Sequence, residues 1–600
     1  MSLLVSCTGN TSEEHHFNSF CEGFANLVRA CYTRWAVSFG RTLACLLVVA
    51  PAWSRPAQAA YPPPLRVAHG AVAADHPLAS QVGAEALRQG GNAVDAACAT
   101  ALALGALSPA SSGIGGGGFL VLYVAKEHKV VTLDFRERAP AAATRNMYVK
   151  EGKVSPELAR HGGLAAAVPG ETAGLFEAVQ KYGRLGWKKC VQPAARLAHA
   201  GAPVSPYLAR QIERLHERSG GAFELGALIF PGGRPLRAGQ LLERPDFAHT
   251  LDALARDPSA LYRGPLAREL VRAVRAAGGI LSEQDLADYR PLWRPPLEGS
   301  YRGHRVVSMS PPSSGGVALI ESLNVLERHE LSKLGWGSSA HLHTLLEALK
   351  HAFADRARFL GDPDFVKVPV EKLTSKDYAR ALDQRLQADH VLRRDQYGTP
   401  SPNATQVRGG GTSHLSVVDA DGNAAALTTT INGYFGARFV GGSTGIILNN
   451  EMDDFSAQPG VPNADGLVTG EGNAIAPGKR PLSSMTPSIV FAADRPWIVV
   501  GGAGSARIIS GVTQAIVAVV DFDLDAQAAI SAPRVHTQWV PERIDLESFI
   551  PADVAQALAR RGHSIEQSKD YCVLQMITVG KDGTIEAASD PRKQGVPAGY

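Results

Sequence analysis

The most informative pattern of apolar and polar positions lies within residues 409–432. Three glycines end in Thr412, and from there to Val418 the pattern has period two, the signature of a half-buried strand. Asp421-Gly422-Asn423 supplies a turn, since these residues tolerate the positive φ of a tight hairpin. A second strand is predicted over 424–431. Alanine- and leucine-rich patterns predict helices over 79–89 and 92–107, separated by Gly90-Gly91. Strands follow over 119–124 and 130–135. Residues 155–300 read as mostly helical, with breaks at Pro169-Gly170, Pro231-Gly-Gly233 and Gly278-Gly279, and Ser282-Glu-Gln-Asp285 resembles a helix start. A long helix is predicted over 338–360, closed by Gly361-Asp-Pro363. Residues 446–450 read as another strand, and the tail from Ile489 as strands alternating with one helix over 554–561.

A length of 600 residues suggests several domains or one large composite. Sixty basic against 57 acidic residues give a formal charge of +3 without a long single-sign block, so nothing points to nucleic acid. The N-terminus differs in kind. Arg34 and Arg41, an apolar run over 43–50 and Ala57-Gln58-Ala59 form the pattern of a secretory signal. The run is shorter than the roughly 20 residues of a membrane span, so no stable span is expected. Export to the periplasm or extracellular space is predicted, with residues 1–59 as signal peptide and N-terminal extension. Beyond that segment only Cys98, Cys190 and Cys572 remain of seven cysteines. They form neither a disulfide framework nor a C-x-x-C pair, and read as small buried apolar residues.

A hydroxyl residue at the start of a strand, preceded by glycines, is what a self-cleaving hydrolase needs. Thr412 would attack the preceding carbonyl, glycine adopting the strained geometry at low steric cost. The freed α-amine, with a reference pKa of about 7.7 to 8.0, could then take the proton from Oγ. The other reading is a glycine turn feeding an ordinary edge strand. Gly113-Ile-Gly-Gly-Gly-Gly118 satisfies G-x-G-x-x-G, but in the order helix, glycines, strand, the reverse of a dinucleotide site. Arg136, at a strand end, reads as a solvated charge or as a fork for a carboxylate. His343, Glu347 and His351 fall four apart on the long helix without an H-E-x-x-H core, and read as a solvated face rather than a metal site. Gly441-Gly-Ser-Thr-Gly445 matches a nucleophile elbow, yet a strand pattern follows where a helix is required, so Ser443 is only the runner-up.

From about Arg66 to Tyr600 the sequence resembles the γ-glutamyltranspeptidase family of the N-terminal-nucleophile hydrolase class. The resemblance rests on Gly90-Gly-Asn-Ala-Val-Asp-Ala-Ala97, Asp134-Phe-Arg136, Pro311-Pro-Ser-Ser-Gly-Gly316, Gly361-Asp-Pro-Asp-Phe-Val-Lys367, Thr412-Ser-His, Leu448-Asn-Asn-Glu-Met-Asp-Asp-Phe455 and Lys479-Arg-Pro-Leu-Ser-Ser-Met-Thr-Pro487, in this order. It implies an α+β fold, a four-layer αββα sandwich. One precursor would be cut between Gly411 and Thr412 into a large subunit, 60–411, and a small catalytic subunit, 412–600.

The resemblance further implies Thr412 as nucleophile and Thr430 as the hydroxyl that contacts it. Arg136, Ser483 and Ser484 match a set of donors for the substrate α-carboxylate. Asn432, Glu451 and Asp454 match a set of acceptors for the α-ammonium, a chemically coherent division. Backbone donors of Gly504 and Ser505 match the oxyanion hole, where the family reads Pro-Gly-Gly-Ser-Arg and this chain Ala503-Gly-Ser-Ala-Arg507. Serine visits positive φ less readily than the glycine it replaces. Residues 459–472 match a lid, with Asp465 where many members carry an aromatic gate. The implied activity is cleavage of glutathione and related γ-glutamyl amides, with transfer to water or to an amino acid or peptide, and without metal or organic cofactor. Two rivals stand beside it: a glutaryl or cephalosporin acylase of the same fold, and an unprocessed, inactive relative.

Overall fold

A computed structural model describes residues 61–219, 225–399, 410–463, 466–568 and 572–600. The signal-peptide segment 1–59 lies outside the described residues, as do Gly409 and Asp465.

The strand Gly411–Val418 is buried at every position, on its polar side as well as its apolar side. Leu415 and Val417 face a core shared with the helices Pro77–Arg88, Ala93–Leu107 and Trp187–Ala200. His414 and Ser416 point the other way, toward a second sheet. The His414 ring packs so closely on Gly501 that a Cβ there would lie 2.3 Å from Cε1. Ser416 Oγ donates to the Gln575 carbonyl at 3.1 Å. The period-two pattern is real, but its polar half meets protein instead of water, each polar group finding a partner as burial requires.

Both sheets have seven strands and are antiparallel throughout. The first runs Ala598–Gly599, Ala71–Ala74, Gly411–Val418, Ala424–Asn432, Gly117–Val124, Lys129–Asp134, Leu292–Arg294. The second runs Leu65–Val67, Ile585–Ser589, Val573–Val579, Arg495–Ala503, Ser488–Ala492, His304–Ser308, Leu297–Tyr301. They pack face to face through Gly411–Val418 and Arg495–Ala503. Gly315–Leu326, Ser339–Phe359 and Arg507–Phe522 pack together to cover the outside of the second sheet. This is the αββα sandwich.

Several elements match their sequence signals closely. Asn92 caps Ala93–Leu107 through a capping box with Asp95, and Ser282 caps Glu283–Ala287 in the same way. Cys98, Cys190 and Cys572 are buried and free. Three expectations are corrected. Residues 446–450 form no strand, only a bridge from Ile447 to Val440. The tail contains Arg507–Phe522 and Ala526–Ser531 besides Ala552–Arg560. Arg507–Phe522 was invisible because its isoleucines and valines carry strand preference, and burial on nearly all sides leaves little polar face to set a helical period. His343, Glu347 and His351 are buried, not solvated, since Ser339–Phe359 runs through the interior from His341 to Arg356.

Candidate active site

The first-sheet hairpin brings Thr412 opposite Thr430. Gly411 pairs with Asn432 and Thr412 with Thr430, so the register slips at the Gly411–Thr412 peptide and Ile431 is left over, a bulge of the kind that re-aims side chains. Gly411 is not in the left-handed region. Its need for glycine is close approach: a Cβ there would lie 2.2 Å from the Gly433 carbonyl oxygen. Gly116 serves the same hairpin from its other flank, where a Cβ would lie 1.9 Å from the Thr430 carbonyl oxygen. The glycine run before Gly117–Val124 thus makes room for the hairpin.

Three hydrogen bonds meet at Thr430 Oγ1 across the bulge. Thr412 Oγ1 lies 2.9 Å from Thr430 Oγ1, and Thr430 Oγ1 donates to the Gly411 carbonyl at 2.9 Å. The Asn432 amide donates to Thr430 Oγ1, also at 2.9 Å. Thr430 has one proton, and it goes to Gly411; Thr412 is then the donor in the hydroxyl pair.

A cleft opens over this pair, lined by Arg136, Thr412, Thr430, Asn432, Glu451, Asp454, Ser483, Ser484 and Ser505, with Leu467, Met485 and Ile508 as its apolar part. Of the catalytic and substrate-binding residues implied by the resemblance, all except Gly504 are on its wall, and Gly504 and the cleavage-site Gly411 are the chain neighbours of Ser505 and Thr412. Arg136 is buried, its Nε donating to the Pro481 carbonyl at 3.2 Å. Its guanidinium bonds Glu451 and, at 2.5 Å, Asp454. Glu137 Oε2 is 3.6 Å from the same guanidinium. Three carboxyl groups therefore surround one cation. Burial pushes Glu137 up to about 7, against the lowering pull of Arg136, and burial likewise raises Glu451 well above the carboxylate range.

The 3₁₀ turn Glu451–Asp454 is held by two asparagines that sequence reasoning passed over as roles, although both stand in the Leu448-Asn-Asn-Glu string. Asn449 Nδ2 donates to the Gly115 and Ala167 carbonyls, and its Oδ1 accepts from the Ala167 and Glu451 amides. Asn450 Oδ1 accepts from the Gly433 amide. Asn432 Nδ2 donates to the Asn450 carbonyl at 3.0 Å. Ser483 is anchored by the Pro311-Pro-Ser-Ser loop, since Ser314 donates to its carbonyl from both amide and hydroxyl. Arg356 Nη2 donates to Ser484 Oγ at 3.3 Å.

Gly504 has φ +136° and Ser505 φ +55°. Serine here does occupy the left-handed region, and the turn aims the loop at the start of Arg507–Phe522. Of residues 459–472, Asn463 Nδ2 approaches Asp454 Oδ1 at 3.4 Å, and Leu467 reaches the cleft.

The decoys sort themselves by surroundings. Ser443 is exposed within a single 3₁₀ turn, Gly442–Thr444, without strand or helix to make an elbow. His343 and Glu347 meet His563, not His351. Lys350 Nζ donates to Glu347 at 2.9 Å and lies 3.4 Å from His563, so an ammonium already supplies the charge a metal would bring.

A family model described as gamma-glutamyltranspeptidase matches residues 79–600. The chain belongs to the gamma-glutamyltranspeptidase family. Among curated members it is 40% identical over 549 residues to a glutathione hydrolase proenzyme of Escherichia coli, covering 90% of this chain and 93% of that one. Cephalosporin acylase from Bacillus halodurans superposes with TM-score 0.80 at 30% identity, over 94% of this chain and 99% of the other. Gamma-glutamyltranspeptidase of Helicobacter pylori superposes with TM-score 0.52 at 42% identity, over 53% and 92%. The family relation makes this chain a hydrolase and transferase of the N-terminal-nucleophile fold, made as a precursor cleaved into two subunits.

Proposed function

We propose that Thr412 is the nucleophile both of self-cleavage and of γ-glutamyl transfer, and that glutathione or a related γ-glutamyl amide is the donor. In the uncut chain Thr412 Oγ attacks the Gly411 carbonyl carbon while the Thr430 hydroxyl, already bonded to the Gly411 oxygen, stabilises the charge developing there. The Oγ proton passes to the Thr412 nitrogen as the peptide C–N bond breaks, an ester replaces the amide, and water then hydrolyses that ester, leaving Gly411 as a carboxylate and Thr412 with its hydroxyl restored and a free amine. In turnover that amine takes the Oγ proton as Oγ bonds to the γ-carbonyl carbon. It returns the proton to the leaving nitrogen. The amide N–H groups of Gly504 and Ser505 receive the oxyanion. Water or an acceptor amine then resolves the γ-glutamyl ester.

The surplus of carboxyl groups around Arg136 supports this substrate over its rival. Arg136, Ser483 and Ser484 bind the α-carboxylate, and Asn432, Glu451 and Asp454 bind the α-ammonium. A glutaryl group brings no cation to offset the three carboxyl groups, which makes burying it there costly. Binding energy at this remote end orients the scissile carbonyl. Export, with removal of residues 1–59, belongs to the same reading. No helix among the described residues is long and apolar enough to cross a membrane.

The test is release of γ-glutamyl-anilide with and without glycylglycine, beside glutaryl-anilide. Preferential γ-glutamyl release, accelerated by glycylglycine, is expected; faster glutaryl release assigns the acylase reading, and no release from a chain that stays in one piece assigns the inactive one.

A further inference from the structure

Behind the nucleophile, on the side away from the cleft lining, lies a buried lysine that the mechanism above does not use. Lys593 belongs to the segment between the strands Ile585–Ser589 and Ala598–Gly599, and is 3% exposed. Its three ammonium protons are all taken: Asp75 Oδ2 at 2.6 Å, the Thr412 carbonyl at 2.9 Å and Ser413 Oγ at 3.2 Å. Asp75 follows the strand Ala71–Ala74 and is held in turn by Gln575 Nε2 at 2.7 Å. A lysine this buried keeps its charge only if paired, and Asp75 pairs it. Covalent geometry within Thr412 then puts a fixed cation within roughly 6 Å of its nitrogen.

We propose that Lys593 is the positioning cation of the nucleophile: it clamps the Thr412 carbonyl, and its charge favours the neutral form of the α-amine that self-cleavage releases. The proposal rests on Thr412 being the nucleophile. Around Thr412 and Lys593 stand Thr430, bonded to the Thr412 hydroxyl, Asp75, paired with Lys593, His76, near enough to feel the charge of Lys593, and Asn432, Arg136, Glu451 and Asp454 on the cleft wall. Tyr207 and Tyr434 close the back, hydroxyl to hydroxyl at 3.2 Å, with Lys593 over the Tyr207 ring at 5.3 Å. Arg136 is held in the cleft by Glu451 and Asp454, and no contact joins its guanidinium to Thr412 among those described. Burial and the nearness of Lys593 hold His76 down at about 4, so it is neutral at working pH, and burial keeps the Tyr207 phenol protonated. Lys593 is thus the cation in contact with Thr412 among the described residues. An ammonium beside an amine disfavours that amine's protonated form.

The test is the pH profile of γ-glutamyl-anilide turnover by the self-cleaved full chain carrying Lys593→Gln, Lys593→Met or Lys593→Arg. The uncharged variants should move the acid limb of kcat to higher pH by about one unit, because an amine relieved of a neighbouring cation holds its proton to higher pH. Activity lost at pH 7, about tenfold, should return toward wild type near pH 9, with KM changed less than about twofold since Lys593 does not line the cleft. Lys593→Arg keeps the charge and should leave the limb in place even if the rate falls. A limb that stays put in the uncharged variants, or a rate reduced equally at all pH values, overturns the proposal. If neither uncharged variant cleaves itself, the arginine variant decides: a limb displaced by more than about half a unit despite the retained charge refutes it. A wild-type chain that neither cuts itself nor turns over instead defeats the nucleophile reading.

Discussion

At the residue scale the site depends on two small sets of contacts, hydroxyl to hydroxyl at the nucleophile and carboxyl to guanidinium at the substrate end. Thr430→Val keeps the shape and removes the proton that reaches the Gly411 carbonyl, so self-cleavage should slow by about 10²- to 10³-fold, as for loss of one oxyanion donor. A time course of the two fragments on a denaturing gel measures it. Asp454→Asn should cost γ-glutamyl turnover about 100-fold in kcat/KM, the order of losing one partner of a charge-assisted contact, while leaving glutaryl turnover within a few-fold. Equal losses on both substrates would show that Asp454 does not read the ammonium. The individual residues were named by motif resemblance, as was the contact of Thr430 with Thr412; the bonds that tie the substrate-end residues to one another were not. Nothing in the pattern around Arg136 showed that it bonds Glu451 and Asp454, since those partners lie more than 300 positions away in the chain. Lys593 carried no signal at all, because its contact with Thr412 spans 181 positions and belongs to no periodic pattern.

At the element scale the nucleophile hairpin is gripped on both sides by glycines that admit it. Gly501→Ala pushes a Cβ into the buried His414 ring between the sheets. It should cost about 1–3 kcal/mol, the usual range for overpacking, and retard self-cleavage, because Gly501 leads along its strand to Gly504. Unfolding by urea and the gel assay read the two effects, and an unchanged midpoint would mean that the sheets part easily there. The hairpin, the two N-terminal helices and the long helix were legible from periodicity and caps. Arg507–Phe522 was not, and the faces of Gly411–Val418 and Ser339–Phe359 were read as meeting water. Period two reports which residues share a side. What covers that side, solvent or a second sheet, depends on strands that arrive from elsewhere in the chain.

At the scale of the whole molecule, burial of titratable groups makes stability depend on pH from both directions. Burial holds His414 down at about 3, with its ring bonded to Thr428 Oγ1 at 2.8 Å. Between pH 6.5 and 3 the unfolded chain binds a proton there that the folded chain refuses. This contribution is present above pH 6.5 and is lost as the pH falls through that window. Burial raises Glu171 to about 8, so its contribution has the opposite sign: it is present at acid pH and lost as the pH rises toward 8. Comparing urea unfolding of His414→Gln with the parent at pH 7 and pH 5 should show about 2 kcal/mol less acid destabilisation in the variant, the value of 1.5 pH units for one proton. Identical pH dependence would place His414 in a more hydrated setting. The most direct measurement of the central claim is the intact mass of the purified chain and of its Thr412→Ala variant. The wild type should give two fragments divided between Gly411 and Thr412, and the variant a single uncut chain; a break elsewhere, or a variant that still divides at this bond, would contradict the assignment of Thr412.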